Sequence, residues 1–385
     1  MNTRISKSQR GFTLLELMIA SVIGLILMAA MTSVFRVGMN AMFTVTQRAD
    51  TQQNMRAAID LMTKDISMAG AGLPTGGLQM ASGTPTSVAC NQGGTCYVPG
   101  DVYPNSGTGV RNYMYGILPG FANGVQNGAV ITSAPAAVND SITSIYCDYN
   151  FPLTNFNFTF PVSPASATVT VINGGTQPNN ILAPGGLNVG DLLLFIVSSP
   201  GNGTGAGGTS LAQTAAAVGE ITGLPPGGGA INFASPDALN FNQGGANSLL
   251  TVAAAMGAGT VTTVCRLYAV TYFLQVPAAG GTVQTPRLMR QVNGLNAVPI
   301  ADNIINLQFS YDVISSTTGL MNANQANPIG AGQSPALIQK VNIWIMGQGL
   351  TQGNNRSQSM YLASSVSARN MSFCNSYSSS TTVCQ

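Results

Sequence analysis

One uninterrupted apolar segment near the N-terminus constrains this chain more than any other feature. Residues 14–35 are predominantly apolar, and Glu16 is their only charged residue. A helix of this length, at ~1.5 Å per residue, reaches across a hydrocarbon core of ~30 Å. The hydrophilic leader before it carries Arg4, Lys7 and Arg10 and no acid. The positive-inside rule keeps such a leader in the cytoplasm, so we expect one membrane-spanning helix with the rest of the chain on the far side.

The position of the candidate cleavage site separates this segment from an ordinary secretory signal. A secretory signal has a shorter apolar core, and its cleavage site follows that core. Here Gly11-Phe12 lies before the apolar segment, so cleavage leaves the membrane helix attached to the mature protein.

Glu16 needs a physical reason to lie in an apolar segment. A carboxylate inside a bilayer costs roughly 2.5–3.5 kcal/mol, and such acids usually have a partner. Cleavage after Gly11 creates an amine on Phe12, which can pair with Glu16 within one chain or between neighbouring chains. The alternative is an acid that snorkels to the lipid headgroups. Pairing between chains would favour assembly.

The N-terminal residues resemble the class III signal of type IV prepilins and pseudopilins. The sequence GFTLLE at 11–16, between a basic leader and an apolar helix, carries the resemblance. It implies that a prepilin peptidase cleaves between Gly11 and Phe12 and that Phe12 becomes N-methylated. It also implies that Glu16 is an assembly residue, with residues 1–11 as a cleaved leader.

The helical pattern continues past the membrane segment. No proline occurs between residues 36 and 68. Apolar residues recur mostly three or four positions apart, at Met42, Val45, Ala49, Met55, Ile59, Met62 and Ile66. Charged residues are assigned to the opposite, polar face: Arg48, Asp50, Arg56, Asp60, Lys64 and Asp65. We predict one helix over 12–69, membrane-spanning over 12–35. It is expected to end at Gly70, Gly72 and Pro74.

Residues 70–385 are predicted to form a β-rich domain. Segments rich in β-branched and aromatic residues predict strands at 141–146, 167–172, 192–197, 264–276, 283–290, 305–313, 341–345 and 360–368. Strands that follow one another without intervening helices favour antiparallel pairing. Residues of about 198–230 are rich in Gly and Pro and are expected to form loops, interrupted by Leu211–Ile221. The expected fold class is therefore α+β, with the long helix packed on a mainly antiparallel sheet.

The C-terminal third is similar to a narrower group, the PilW-type minor pilins and the J-type pseudopilins of type II secretion. The segments TPRLMRQV, ADNIINLQFSYDV, IQKVNIWIMGQG and YLASSVSARN follow one another in a similar order. Because these segments are strands, the resemblance implies fold and packing rather than chemistry. Residues of about 70–260 carry no comparable resemblance.

Composition argues against catalysis and nucleic-acid binding. Only 7% of the residues are charged, the formal net charge is +2, and there is no histidine. Binding to phosphates needs a basic face, which a nearly neutral body lacks. The absence of histidine removes the commonest general base and the commonest transition-metal ligand. We therefore expect no enzymatic activity, no cofactor and no metal site.

Six cysteines are expected to form disulfides, because the body of the chain should lie outside the cytoplasm. They are Cys90, Cys96, Cys147, Cys265, Cys374 and Cys384. Fifteen connectivities are possible. Proximity in sequence favours Cys90–Cys96 and Cys374–Cys384, which leaves Cys147–Cys265 to join distant strands. Free thiols are the alternative.

These inferences favour a structural subunit over an enzyme. The leading hypothesis is a minor pilin of a type IV pilus that acts in filament initiation or at the tip. It would be anchored in the inner membrane by one helix, with its domain in the periplasm, and would be extracellular after assembly. Its partners would be other pilins, the prepilin peptidase and the inner membrane. A type II secretion pseudopilin and a pilus-displayed adhesin remain alternatives.

Overall fold

The chain folds as one long helix followed by β-sheets. The computed structural model describes residues 11–74, 77–79, 89–90, 96–97, 113–120, 125–126, 139–148, 151, 153, 157–159, 168–172, 186–204, 210–226, 229–244, 248–249, 261–275, 286–315, 318–326, 328, 333–349 and 358–371. Helix α1 spans Leu14–Met68, 55 residues, and is about 82 Å long at a rise of ~1.5 Å per residue. The predicted limits of 12 and 69 are therefore correct to within two residues.

Both ends of α1 have a local cause. Thr13 is the N-cap, in an extended conformation, and Ala69 is the C-cap. Gly70 follows with a φ of +81°, a backbone conformation that glycine adopts without a steric penalty. A Cβ on Gly70 would lie 2.9 Å from the carbonyl oxygen of Asn370. The predicted Gly70 helix stop is thus fixed by both conformation and space.

The described strands follow in chain order. They are β1 Leu78–Gln79, β2 Ala89–Cys90, β3 Cys96–Tyr97, β4 Tyr113–Met114, β5 Ile117–Gly120, β6 Val125–Gln126, β7 Ser141–Asp148, β8 Asn157–Thr159, β9 Thr168–Ile172, β10 Leu192–Thr204, β11 Ser210–Glu220, β12 Ala230–Asn232, β13 Val261–Gln275, β14 Arg287–Val292, β15 Val298–Asp302, β16 Ile304–Ile314, β17 Met321–Gln325, β18 Ile338–Gly349 and β19 Gln358–Ser367. A short 3-10 turn at Pro335–Leu337 precedes β18.

The largest sheet is built around β13. Strands β10 and β14 pair with successive parts of β13, and β11 and β15 extend the sheet outward in the order β11-β10-β13-β14-β15. Strand β7 also pairs with β13, and β5 pairs with β7. These pairings are antiparallel, and only the two-residue pairing of β6 with β13 is parallel among the described strands.

Strand β10 is buried on both faces at its start, which explains its continuous apolar sequence. Leu193 and Phe195 pack in one cluster with Phe158 and Phe233. Leu192 and its neighbours on the other face pack in a second cluster, with residues of β7 and β13. The strand predicted over 192–197 is confirmed.

A separate four-stranded antiparallel sheet, in the order β17-β16-β18-β19, packs against the second half of α1. Along β18 buried and partly exposed residues alternate, so Ile343 and Ile345 face the helix. Gly347 brings the strand close to α1, since a Cβ there would lie 2.8 Å from Cγ2 of Thr51. The α+β fold class, with a mainly antiparallel domain, is confirmed.

Two predictions about this architecture were wrong. Residues of about 198–230 were expected to be loops on either side of Leu211–Ile221, but β10 continues to Thr204. The interruption itself is strand β11, Ser210–Glu220. The apolar stripe was also expected to begin at Met42, whereas Met42 and Val45 are 73% and 68% exposed. Ala49 is exposed as well. Burial of α1 begins at Thr51 and includes the predicted Met55, Ile59, Met62 and Ile66.

Candidate membrane and assembly site

The first half of α1 presents apolar side chains to its surroundings on every face. Each residue from Gly11 to Phe43 is exposed. The large apolar side chains among them include Leu14, Leu17, Val22, Leu25, Met28, Met31, Phe35 and Met42. Helix α1 is long and apolar enough to cross a membrane, and its most apolar stretch is not buried by any described part of the chain. An apolar helix without a covering surface fits a bilayer or a bundle of other helices.

Glu16 lies in the first turn of this helix and closes a capping box with Thr13. The backbone N–H and the hydroxyl of Thr13 each donate to Glu16 Oε2, both at 3.0 Å. The backbone N–H of Glu16 donates to Thr13 Oγ1 at 3.3 Å. These bonds satisfy donors at a helix start that have no partner within the helix. The sequence analysis did not identify this role, although T-x-x-E at a helix start is the pattern of a capping box.

The proposed scissile bond lies just outside the helix. Gly11 and Phe12 precede the N-cap, and Phe12 is 86% exposed. A Cβ built on Gly11 would meet no described atom within 4 Å. The structure therefore places Gly11, Phe12 and Glu16 together at one exposed end of α1. The amine expected on Phe12 exists only after cleavage, so its pairing with Glu16 stays a prediction.

Comparison with known proteins points to the same end of the chain. Residues 6–32 match a family model described as the prokaryotic N-terminal methylation motif. No curated protein and no solved structure gives a match. The motif is the class III signal of type IV pilin-like proteins, so it indicates a pilin-like or pseudopilin-like protein. It implies processing by a prepilin peptidase and anchoring through the apolar helix, with a globular domain beyond.

Near its other end, α1 carries a buried acid that sequence reasoning placed on the polar face. The side chain of Asp65 is 3% exposed, and Arg290 Nε donates to its Oδ2 at 2.9 Å. The hydroxyl of Tyr146 donates to Oδ1 at 3.1 Å, and that of Tyr272 donates to Oδ2. Ser144 Oγ donates to the Asp65 carbonyl oxygen at 2.7 Å. This Asp65 cluster joins α1 to β7, β13 and β14.

The electrostatics of the cluster follow from burial around one carboxylate. Burial, and next the negative charge of Asp65, raise the pKa of the Tyr146 and Tyr272 hydroxyls. Burial alone would lower the pKa of Arg290, but its hydrogen bond to Asp65 and their attraction raise it. Both tyrosines therefore remain neutral donors and Arg290 remains charged. The arrangement ties the helix to the sheet.

The cysteine predictions have different outcomes. Cys147 and Cys265 form a disulfide with a Cα–Cα distance of 5.7 Å, which confirms that pairing. The backbones of Cys90 and Cys96 face each other in the ladder of β2 and β3. Cys374 and Cys384 lie outside the described residues, so their pairing stays a prediction.

The described part of the chain contains no group of three or more His, Cys, Asp or Glu side chains that could hold a metal ion. One acidic pair does occur, between the buried Glu220 and the partly exposed Asp237. Glu220 and Asp237 share a hydrogen bond, and Glu220 Oε2 accepts from the N–H of Leu239 at 2.8 Å. Burial, and next the hydrogen bond with Asp237, raise the pKa of Glu220 to about 7.

Proposed function

We propose that this protein is a minor pilin-like structural subunit of a type IV pilus, acting in filament initiation or at the tip. The observation that carries the proposal is the first half of α1. It is apolar on all faces, and it begins within a methylation motif whose Glu16 forms the capping box of the helix with Thr13. In this role the protein works by assembly, without a catalytic site or a cofactor.

Residues 1–11 would be the cleaved leader, and residues 12–35 would span the inner membrane before assembly. The domain would then lie in the periplasm, where the Cys147–Cys265 disulfide can form and persist. After assembly the same helix would pack among the helices of neighbouring pilins. One apolar surface can serve both states because lipid and packed helices are both apolar surroundings.

Glu16 would connect processing to assembly. Cleavage after Gly11 releases an amine at Phe12, beside a carboxylate that the helix already orients. A neighbouring subunit can then offer its own amine to Glu16 in an apolar environment, where opposite charges attract strongly. An unpaired carboxylate there is costly, so the pair favours the assembled arrangement.

The size of the domain favours a position at the tip over one in the repeating shaft. Residues 69–385 follow the helix, and a shaft subunit of this bulk must fit its domain into every position of a helical lattice. A tip or initiating subunit has open space on one side.

The assembly role is tested by Glu16→Ala and Glu16→Gln. Both variants should insert into the membrane as well as wild type, because they remove a charge that costs roughly 2.5–3.5 kcal/mol there. The amount of protein in sheared filaments, or the number of filaments, should fall several-fold. A blot of the membrane fraction measures insertion, and a blot of the shear fraction measures the amount of protein in filaments.

Thr13→Ala is the matched control for this experiment. It removes the capping hydroxyl, at a cost of about 0.5–2 kcal/mol to the helix start, but keeps the Glu16 carboxylate. It should assemble better than either Glu16 variant. Equal defects in all three variants would show that Glu16 acts only as a cap. Normal assembly of the Glu16 variants would remove the assembly role altogether.

The methylation motif is also typical of pseudopilins, so deletion of the gene decides between the two kinds of filament. A minor pilin predicts loss of surface pili with normal protein secretion. Loss of secretion with normal pili would instead assign the protein to a type II secretion system.

A further inference from the structure

A groove on the C-terminal sheet lies on the face opposite to α1. Its volume is about 620 Å³, within the range of about 300–1,000 Å³ that is usual for ligand sites. The floor is formed by outward-facing residues of β16 and β18, and β17 and β19 contribute the sides. The residues that matter here are Gln308, Ser310, Asn324, Asn342, Trp344 and Ala363.

Trp344 is the only tryptophan in the chain, and it lies in this groove rather than in the core. Its neighbours on β18, Ile343 and Ile345, are buried against the helix. The residue paired with Trp344 on β19 is Ala363, whose small side chain leaves the space beside the indole open. A partly exposed tryptophan offers a large apolar ring together with an N–H donor.

The polar residues of the groove are held in place by one another. Asn342 Nδ2 donates to Asp312 Oδ1 and to Asn324 Oδ1, both at 3.1 Å. Asp312 Oδ1 also accepts from the backbone N–H of Asn324 at 2.9 Å. These bonds fix the amides, so a ligand pays less to order them on binding. The carbonyl oxygen of Asn342 and the amide nitrogen of Asn324 supply an acceptor and a donor.

The groove is electrically neutral. None of its described lining residues has an ionisable side chain. Asp312, which bonds to Asn324 and Asn342, is neutralised by an ion pair with Lys340 at 3.1 Å. A charged ligand would leave water without gaining an opposite charge, so it would be disfavoured. An uncharged ligand with many hydroxyl groups has no such cost.

We propose that this groove binds an uncharged saccharide. The apolar face of a sugar ring would pack on the indole of Trp344, in the space left by Ala363. Its hydroxyl groups, which are both donors and acceptors, would pair with Asn342, Asn324 and Ser310. The proposal is independent of the assembly role, because the groove and α1 lie on opposite faces of the sheet.

The test uses the full chain in micelles of a zwitterionic detergent, since detergents with sugar headgroups would carry the proposed ligand class. Maltohexaose, cellohexaose, chitohexaose and mannohexaose are titrated while the fluorescence of Trp344 is recorded. Because there is one tryptophan, any change in emission reports this groove directly. At least one neutral oligosaccharide should give a saturable shift, and oligogalacturonate and heparin oligosaccharides should give none.

Two variants keep the reporter and change the groove. Ala363→Leu fills the space beside Trp344 on an exposed strand and should abolish the saturable shift. Asn342→Ala removes an amide and should weaken binding about tenfold. Gln348→Ala is the matched control, because it lies on the same strand outside the lining and should bind like wild type. Far-UV circular dichroism establishes that all three are folded.

Coupling the active oligosaccharide to a surface by its reducing end distinguishes two sources of the ligand. Retention of the protein there supports a surface-borne glycan, and binding of only the free form supports a soluble polysaccharide. The proposal is overturned if no neutral sugar shifts the emission. It is equally overturned if Ala363→Leu leaves the shift unchanged, or if the emission instead follows protein concentration, which would assign the groove to contact between two copies of the chain.

Discussion

The two halves of α1 belong to one continuous helix but are built for different surroundings. Met42, in the first half, is 73% exposed, whereas Met62, five and a half turns later, is fully buried. In the second half the buried residues form one stripe against the domain: Thr51, Met55, Ala58, Ile59, Met62, Asp65 and Ile66. In the first half apolar residues occupy every face. The difference shows that the domain covers the apolar side chains of the second half only.

Removal of apolar surface from water stabilises by roughly 25 cal/mol per Å². The second half of α1 gains this stabilisation within the chain, from the large core that it shares with the C-terminal sheet. The first half can gain it only from lipid or from other helices. Changes in the second half should therefore alter folding, and changes in the first half should alter anchoring or assembly.

The largest expected effect comes from Asp65→Ala. The change leaves Arg290 without its ion-pair partner and leaves the hydroxyls of Tyr146 and Tyr272 without their acceptor. Loss of one partner from a buried pair costs about 3–5 kcal/mol. Urea unfolding of the full chain in micelles, followed by the fluorescence of Trp344, measures the free energy of unfolding.

Asp60→Ala is the control, because Asp60 is an exposed acid on the same helix. Exposed substitutions of this kind change stability by about 0.5 kcal/mol or less. Equal effects of the two substitutions would show that the Asp65 cluster does not hold α1 to the sheet.

A matched pair of methionine substitutions tests the two halves directly. Met62→Ala removes a fully buried side chain and should lower the free energy of unfolding by about 2–5 kcal/mol. Met42→Ala makes the same chemical change at an exposed position and should leave stability within about 0.5 kcal/mol. The same urea experiment measures both. A loss of stability in Met42→Ala similar to that in Met62→Ala would contradict the division of the helix.

Sequence alone predicted those features of the molecule that depend on local pattern. Gly70 ended the helix as expected, and the buried run of β10 was recognisable because both of its faces are covered. The position of Asp65 was not predictable in this way. The helical pattern assigned it to the polar face because it is charged. Its burial depends on Tyr146, Tyr272 and Arg290, which are distant in sequence.

The candidate site shows a similar division. Gly11, Phe12 and Glu16 were found from a short motif, since the motif is local. The groove at Trp344 was not, because it is formed by four strands whose register is set by tertiary pairing. Strand β11 was set apart from the loops around it but not assigned as a strand. Small residues such as Ala215 and Ala216 have weak strand preference, and pairing with β10 decides their conformation.

The smallest expected effect lies in the domain, away from α1. Glu220 has a pKa raised from 4.5 to about 7, so between these values the folded chain binds more protons than the unfolded chain. Its contribution to stability is therefore greatest below pH 4.5 and falls as the pH rises toward 7. Glu220→Gln keeps an acceptor for Leu239 and a donor for Asp237, and should flatten this part of the pH profile.

Thermal midpoints measured from pH 4.5 to pH 7 test the effect, with Asp60→Asn as an exposed-carboxylate control. A slope in Glu220→Gln as steep as that of wild type would exclude Glu220 as its source. A flatter slope would show that part of the pH dependence of folding resides in the domain, at Glu220.

The central claim is that the first half of α1 is a processed pilin-type anchor, retained in the mature protein. Intact mass and N-terminal sequencing of the protein from the membrane fraction test it most directly, with cells that lack prepilin peptidase as the control. The account predicts a mature chain that starts at Phe12 and carries one N-methyl group. The control should keep the leader. A mature chain that starts beyond Phe35 would show that the apolar segment is a removed signal peptide and would contradict the account.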